Sequence, residues 1–172
     1  MDVSNENIFT LIGLITIKFS RLDYLTLEYI SILIRGYVSV ENNIIFQDST
    51  LEKKIQTLEK LISLKHNGNF ETMQLEFIKH LKSLKDKRNS FIHGAWNLPE
   101  SQNIDEIKSL SVKQYKYKLS RPKNRIITKI WEPGKNEEFT KSKLIAFLTD
   151  IETTTNDLLQ IMAENVRILG NN

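Results

Sequence analysis

Residues 8–34 read IFTLIGLITIKFSRLDYLTLEYISILI, and the periodicity of this stretch decides the fold. Apolar side chains recur at Ile8, Ile12, Ile15, Phe19, Leu22, Tyr29 and Leu33, the spacing of threes and fours that marks one face of an α-helix. A second set, Leu14, Ile17, Tyr24, Leu27, Ile30 and Ile34, widens the stripe beyond what one neighbour covers. A helix apolar over so much of its circumference belongs at the centre of a bundle or against a second subunit. Gly36 is the expected stop. The apolar start, Ile8 to Ile17, is broken by Thr10, Gly13 and Thr16 and is too short to span a bilayer. It follows Asp2 and Glu6 rather than a basic leader, so the expectation is a cytoplasmic protein with no membrane partner.

Moving outward, residues 37–48 read as a loop. Ser49-Thr50-Leu51-Glu52 has the form of a capping box, and Leu51, Ile55, Leu58, Leu61, Ile62 and Leu64 give the core face of the helix it opens. Asn67-Gly68-Asn69 ends that helix. A third helix is expected from about Phe70, with Met73, Phe77, Leu81, Leu84 and Ile92 inward, closed by Gly94 and Pro99. The period then changes. Tyr115, Tyr117 and Leu119 alternate with Lys116, Lys118 and Ser120, the turn residues Arg121-Pro122-Lys123-Asn124 follow, and Ile126 to Trp131 form a second β-prone run, a hairpin pattern ended by Glu132-Pro133-Gly134-Lys135. The last helix follows Thr140, with Leu144, Leu148, Ile151, Leu158, Met162 and Leu169 inward. The expected architecture is a single, mainly all-α domain over residues 1–172: a four-helix bundle with a β-hairpin inserted at about 113–131.

A chain of 172 residues, 40% hydrophobic and 26% charged, suits one soluble domain with a sizeable core. It has no cysteine, which excludes disulfides and thiolate metal sites. His66, His80 and His93 are too scattered to suggest a metal cluster, and no metal or cofactor is expected. The net charge of +3 is unevenly spread. Residues 113–135 hold eight basic residues against Glu132 alone, a net +7, while the rest carries 16 basic and 20 acidic residues, a net −4. Such a patch suits a phosphate-bearing partner, although a lysine-rich run is equally a solvated surface. Within it, Lys116, Lys118, Arg121, Lys123 and Arg125 are the candidate RNA contacts, and Tyr115 and Tyr117 interleaved with lysines suit stacking on single strands. An amphipathic strand gives the same pattern without a ligand.

Lys87-Arg88-Asn89-Ser90-Phe91-Ile92-His93-Gly94 ends the third helix. Arg directly followed by Asn, with His five residues after the Arg, resembles the R-N-x-x-x-H motif of the HEPN superfamily, whose members are helical bundles with the motif on a late helix. The resemblance covers the motif tightly and the helical plan loosely. It implies a HEPN-like four-helix bundle, assembly as a homodimer, and metal-independent endoribonuclease activity in a toxin or antiviral-defence setting, with an antitoxin or other defence-system protein as a possible partner. Arg88, Asn89 and His93 would be the catalytic set. Their chemistry suits RNA cleavage. A histidine titrates near neutrality and can take or give a proton, and an arginine stays charged and offers a planar fork of donors to a phosphate gaining charge. Asn89 cannot titrate but can orient imidazole or substrate. The family's systems with a nucleotidyltransferase antitoxin often carry a tyrosine two residues after the histidine. Here Ala95 stands there, which argues against tyrosine modification.

Helix geometry restricts this reading. At about 100° per residue, Asn89 and His93 share a face, whereas Arg88 and His93 point about 140° apart. They converge only if Gly94 loosens the helix end or if two copies pool their motifs. The bland alternatives are a non-catalytic module that binds RNA, a nucleotide or a partner protein, and a dimerisation domain in which the motif only stitches helices. His80 reads as a surface residue, His66 as a helix-end decoration, and Trp96 and Trp131 as core or interface residues before stacking platforms.

Overall fold

The computed structural model describes residues 5–35, 46, 48–65, 68–93, 95–97, 103, 107, 109–120 and 128–170; at 65, 68, 69, 93, 95, 114–120, 128–135, 169 and 170 it describes the backbone alone. Four helices and a small antiparallel sheet make up the described chain, in the order α1 (Ile8–Arg35), α2 (Leu51–Lys65), α3 (Gly68–His93), β1 (Ala95–Asn97), β2 (Ser109–Ser120), β3 (Thr128–Thr140) and α4 (Lys141–Gly170). The mainly helical architecture follows the apolar periodicity.

Three of the four helix starts have a local cause among the described residues. Asn7 caps α1, its Oδ1 accepting the Thr10 amide at 2.9 Å. Thr50 caps α2, its Oγ1 accepting the Lys53 amide at 3.3 Å. The cap is therefore one residue later than expected, and Glu52 reaches across to Lys85 instead of closing a capping box. Thr140 is both the last residue of β3 and the cap of α4, its Oγ1 accepting the Lys143 amide at 3.3 Å.

Helix directions follow from the cross-helix pairs. Lys18 meets Glu152 and Tyr29 meets Asn165, so α1 and α4 run parallel. Arg88 lies over Phe19 and Gln74 reaches Tyr29, so α3 opposes α1. Glu52 pairs with Lys85 and Glu59 with Lys82, so α2 opposes α3 and runs with α1. α1 and α3 each lie against both α2 and α4. The core comprises Leu11, Ile15, Leu22, Tyr29, Ile30, Ile55, Leu58, Leu81, Phe91, Leu144, Ile151 and Leu158, with further buried neighbours.

The second apolar set of α1 divides. Leu27 and Ile30 are buried, whereas Ile17, Tyr24 and Ile34 are 67%, 52% and 44% exposed. Leu64 and Met73, expected inside, are also exposed. Ile17 and Tyr24 lie on the face of α1 opposite its buried stripe, and Leu64 likewise faces away from the buried side of α2. Phe91 and Ile78, which the pattern omitted, are buried.

The sheet has the order β1-β2-β3 and is antiparallel throughout. It is larger than the expected hairpin of 113–131. β2 begins at Ser109, β3 continues to Thr140, and Glu132-Pro133-Gly134-Lys135 does not end it: Tyr115 pairs with Pro133 and Lys116 with Glu132. Proline is tolerated because β3 is an edge strand, and the register shift between Lys113 and Tyr115 absorbs one extra residue on β3. No sequence pattern announces β1. Three residues carry no period, and only pairing of Ala95 with Lys113 and Trp96 with Val112 makes them a strand. The sheet's base closes the bundle end where α3 finishes and α4 starts. There Phe91 packs edge-on against Trp96, Phe139 and Phe147, with ring centroids 4.8, 5.4 and 6.1 Å away. No helix among the described residues is long and apolar enough to cross a membrane.

Candidate functional site

At the bundle end nearest the sheet, the middle of α1, the first turn of α2 and the later turns of α3 enclose a groove of about 580 Å³. α1 contributes Phe19, Ser20 and Asp23, the α2 entry contributes Ser49 to Glu52, and α3 contributes Lys85, Arg88 and Asn89. Two of the three motif residues therefore line one cavity, beside side chains that no motif announced.

The groove's charges are largely matched. Lys54, 3% exposed, places its ammonium 2.9 Å from Asp23 Oδ1. A lysine so buried requires a partner, and this pair fixes the α2 entry to α1. Glu52 bonds Lys85, which also meets Asp86 at 3.3 Å. The Lys85 hydrogen bond, with help from Gln56, holds the Glu52 carboxyl below the usual carboxylate range, and the Glu52 bond pushes Lys85 up. Arg88 is different. Among the described residues no carboxylate pairs with it. Its Nη1 donates to Asn89 Oδ1 at a long 3.4 Å, and its Cζ lies 5.7 Å from the centroid of the Phe19 ring. Asp23 and Glu52 are each held by a lysine, and Arg88 is the cation of the groove that has no carboxylate partner among the described residues.

The backbone of α3 continues as helix to His93, one turn beyond Asn89. Arg88 and position 93 thus lie on one unbroken helix, about 140° apart in projection with Asn89 between them. Gly94, the expected point of helix loosening, lies outside the described residues. Lys87 faces the other way, its Nζ 2.8 Å from Asp150 on α4.

The remaining candidates are dispersed. Lys116 and Lys118 occupy β2 opposite Glu132 and Ile130. Arg121, Lys123 and Arg125 lie outside the described residues, as does His66. His80 is exposed on α3, as expected of a surface residue. Trp96 is a packing residue whose Nε1 donates to the Phe91 carbonyl at 3.1 Å, tying β1 to the motif helix. Among the described residues no three His, Asp or Glu side chains gather as a metal-ion set. Lys85 had a trace in the sequence, three residues before Arg88 on the same helical face. Phe19 and Asp23 had none, because only tertiary packing places α1 opposite the motif. No protein-family model, curated protein or solved structure matches the chain.

Proposed function

We propose that the chain is a metal-independent endoribonuclease of the HEPN type, acting as a homodimer in a toxin or antiviral-defence role. The observation that carries this reading is Arg88: a guanidinium without a carboxylate partner among the described residues, in a groove of about 580 Å³, within the R-N-x-x-x-H frame. Such a cation suits a phosphate, whose oxygens accept the planar fork of donors. In the proposed reaction the 2′-hydroxyl of a ribose attacks the adjacent phosphorus and the 5′-oxygen of the next nucleotide leaves, giving a 2′,3′-cyclic phosphate. Arg88 binds the phosphate as charge builds on it, His93 moves the proton as general base or acid, and Asn89 positions. The basic hairpin, with Lys116, Lys118, Arg121, Lys123 and Arg125, holds the flanking strand.

The 140° separation along an unbroken helix supports pooling of motifs between two copies, and the exposed Ile17 and Tyr24 on α1 supply apolar surface for that contact. The same separation favours a second reading, a non-catalytic module in which Arg88 binds RNA, a nucleotide or an acidic partner such as an antitoxin. The decisive experiment incubates purified protein with single-stranded RNA in EDTA. Cleavage with cyclic phosphate ends, abolished by His93→Ala and partly restored on mixing the Arg88→Ala and His93→Ala proteins, supports the shared-site ribonuclease. Cleavage that disappears with EDTA, or survives His93→Ala unchanged, overturns it.

A further inference from the structure

Arg88 poses a physical problem for any role as an anion receptor. A long side chain with many rotamers, half-buried and joined among the described residues by one 3.4 Å bond to its own neighbour, has little to aim it. A carboxylate partner would fix it, but would also neutralise it and occupy the N–H groups an incoming phosphate needs. An aromatic face avoids both penalties, since it attracts the cation through its quadrupole without accepting its in-plane donors as a carboxylate does.

Phe19 supplies that face. Its ring is 5% exposed, held in the core of α1, and still borders the groove. The Arg88 Cζ lies 5.7 Å from its centroid, within the range of a cation–π contact. One turn along α1, Asp23 is tied to the buried Lys54, so the segment carrying the ring is itself fixed to α2. We propose that Phe19 is the positioning residue of the site: its ring face carries the Arg88 guanidinium and presents it, still charged, to a phosphate in the groove. This rests on reading Arg88 as the anion-binding group and goes beyond the motif, since Phe19 lies far before it, on a different helix.

The test uses the full chain and three variants: Phe19→Leu and Phe19→Met, which remove the ring, and Phe19→Tyr, which keeps it. Ring currents move the Nε–Hε resonance of Arg88, assigned by its loss in Arg88→Lys, and inorganic phosphate is titrated against that resonance. The indole N–H of Trp96, bonded to the Phe91 carbonyl, reports in the same spectra that the fold persists. The expected result is that the ring-current shift disappears in Leu and Met, with phosphate binding at Arg88 roughly two- to thirty-fold weaker, while Tyr behaves as wild type. An unchanged Arg88 resonance and phosphate affinity in Phe19→Leu with the indole signal intact overturns the proposal. So does a Phe19→Tyr protein as defective as Phe19→Leu, or a wild-type Arg88 that binds no phosphate. If Phe19-dependent phosphate binding is present but wild type cleaves no RNA, the positioning role stands and the ribonuclease reading fails.

Discussion

Tyr29 and Asn165 stand 136 residues apart in the chain and 2.8 Å apart in the fold, where Asn165 Nδ2 donates to the Tyr29 hydroxyl. Gln74 Nε2 donates to the same oxygen. All three residues are buried. One oxygen thus joins α1, α3 and α4, about 15 Å along α1 from Phe19. Removing it leaves two amide groups buried without their acceptor, so Tyr29→Phe is expected to cost about 1–3 kcal/mol, measured as a lower urea midpoint at unchanged slope. Equal midpoints would show that the network contributes nothing net.

The same phenol makes a pH prediction. Burial pushes the Tyr29 hydroxyl up to about 12, against the hydrogen bonds from Gln74 and Asn165 that favour its ionised form. Because the folded value lies above the unfolded value of about 10, this contribution is complete below about pH 10 and is lost as pH rises toward about 12. The stability difference between wild type and Tyr29→Phe should shrink toward zero over that window. A constant difference from about pH 9 to pH 12 would contradict it.

The pair of Asp23 and Lys54 should respond asymmetrically. Asp23→Asn strands a buried ammonium and is expected to destabilise by about 1–3 kcal/mol, discounted for the partial exposure of Asp23. Lys54→Met removes that ammonium, fills similar volume and should stay within about 1 kcal/mol of wild type. Thermal unfolding of both variants decides the matter, and equal losses would rule out a buried, carboxylate-dependent lysine.

Within the Arg88–His93 segment, Phe91 is a packing residue. Phe91 is 1% exposed and touches three other aromatic rings, so Phe91→Ala should cost about 3–5 kcal/mol by cavity formation. Ser90→Ala, one position earlier and only half-buried, should change stability by about 0.5 kcal/mol or less. Loss of any activity in Phe91→Ala would then accompany loss of fold, which calorimetry separates from the folded but inactive state expected of His93→Ala.

The hairpin prediction concerns salt. Each single-strand phosphate neutralised adds about −0.7 to the slope of log affinity against log salt. Changing Lys116, Lys118 and Lys123 to Glu should flatten that slope and weaken RNA binding across sequences. An unchanged slope would assign the hairpin to packing or to a protein partner.

The helices are legible in the sequence because their apolar spacing is long and regular, and Thr140 marks the final helix to the residue. Strand β1 is illegible because pairing with residues 111–113 creates it. The β3 boundary is misplaced by sequence reading because Pro133 and Gly134 terminate strands in general but are accommodated at an edge beside a register shift. For the site, Arg88 and Asn89 are readable as a motif and do line one groove. Phe19, Asp23 and Lys54 are not, since their roles exist only once α1 and the α2 entry meet α3. The backbone of α3 is helical through position 93, while Gly94, where the sequence allows the helix end to loosen, lies outside the described residues.

The parallel packing of α1 on α4 also sets the order in which the chain can fold. A nascent chain releases Arg35 more than a hundred residues before Lys141, the first residue of the helix against which α1 packs most extensively. At roughly 5–20 residues per second, Leu11, Ile15 and Leu22 wait several seconds for that cover, with α2 and α3 the helices already available. Until the residues after Lys141 emerge, the face of α1 that α4 covers lacks that cover, which makes this interval a natural point for chaperone capture or for mispairing between nascent copies. Ribosomes stalled before residue 141 would leave that face of α1 without α4.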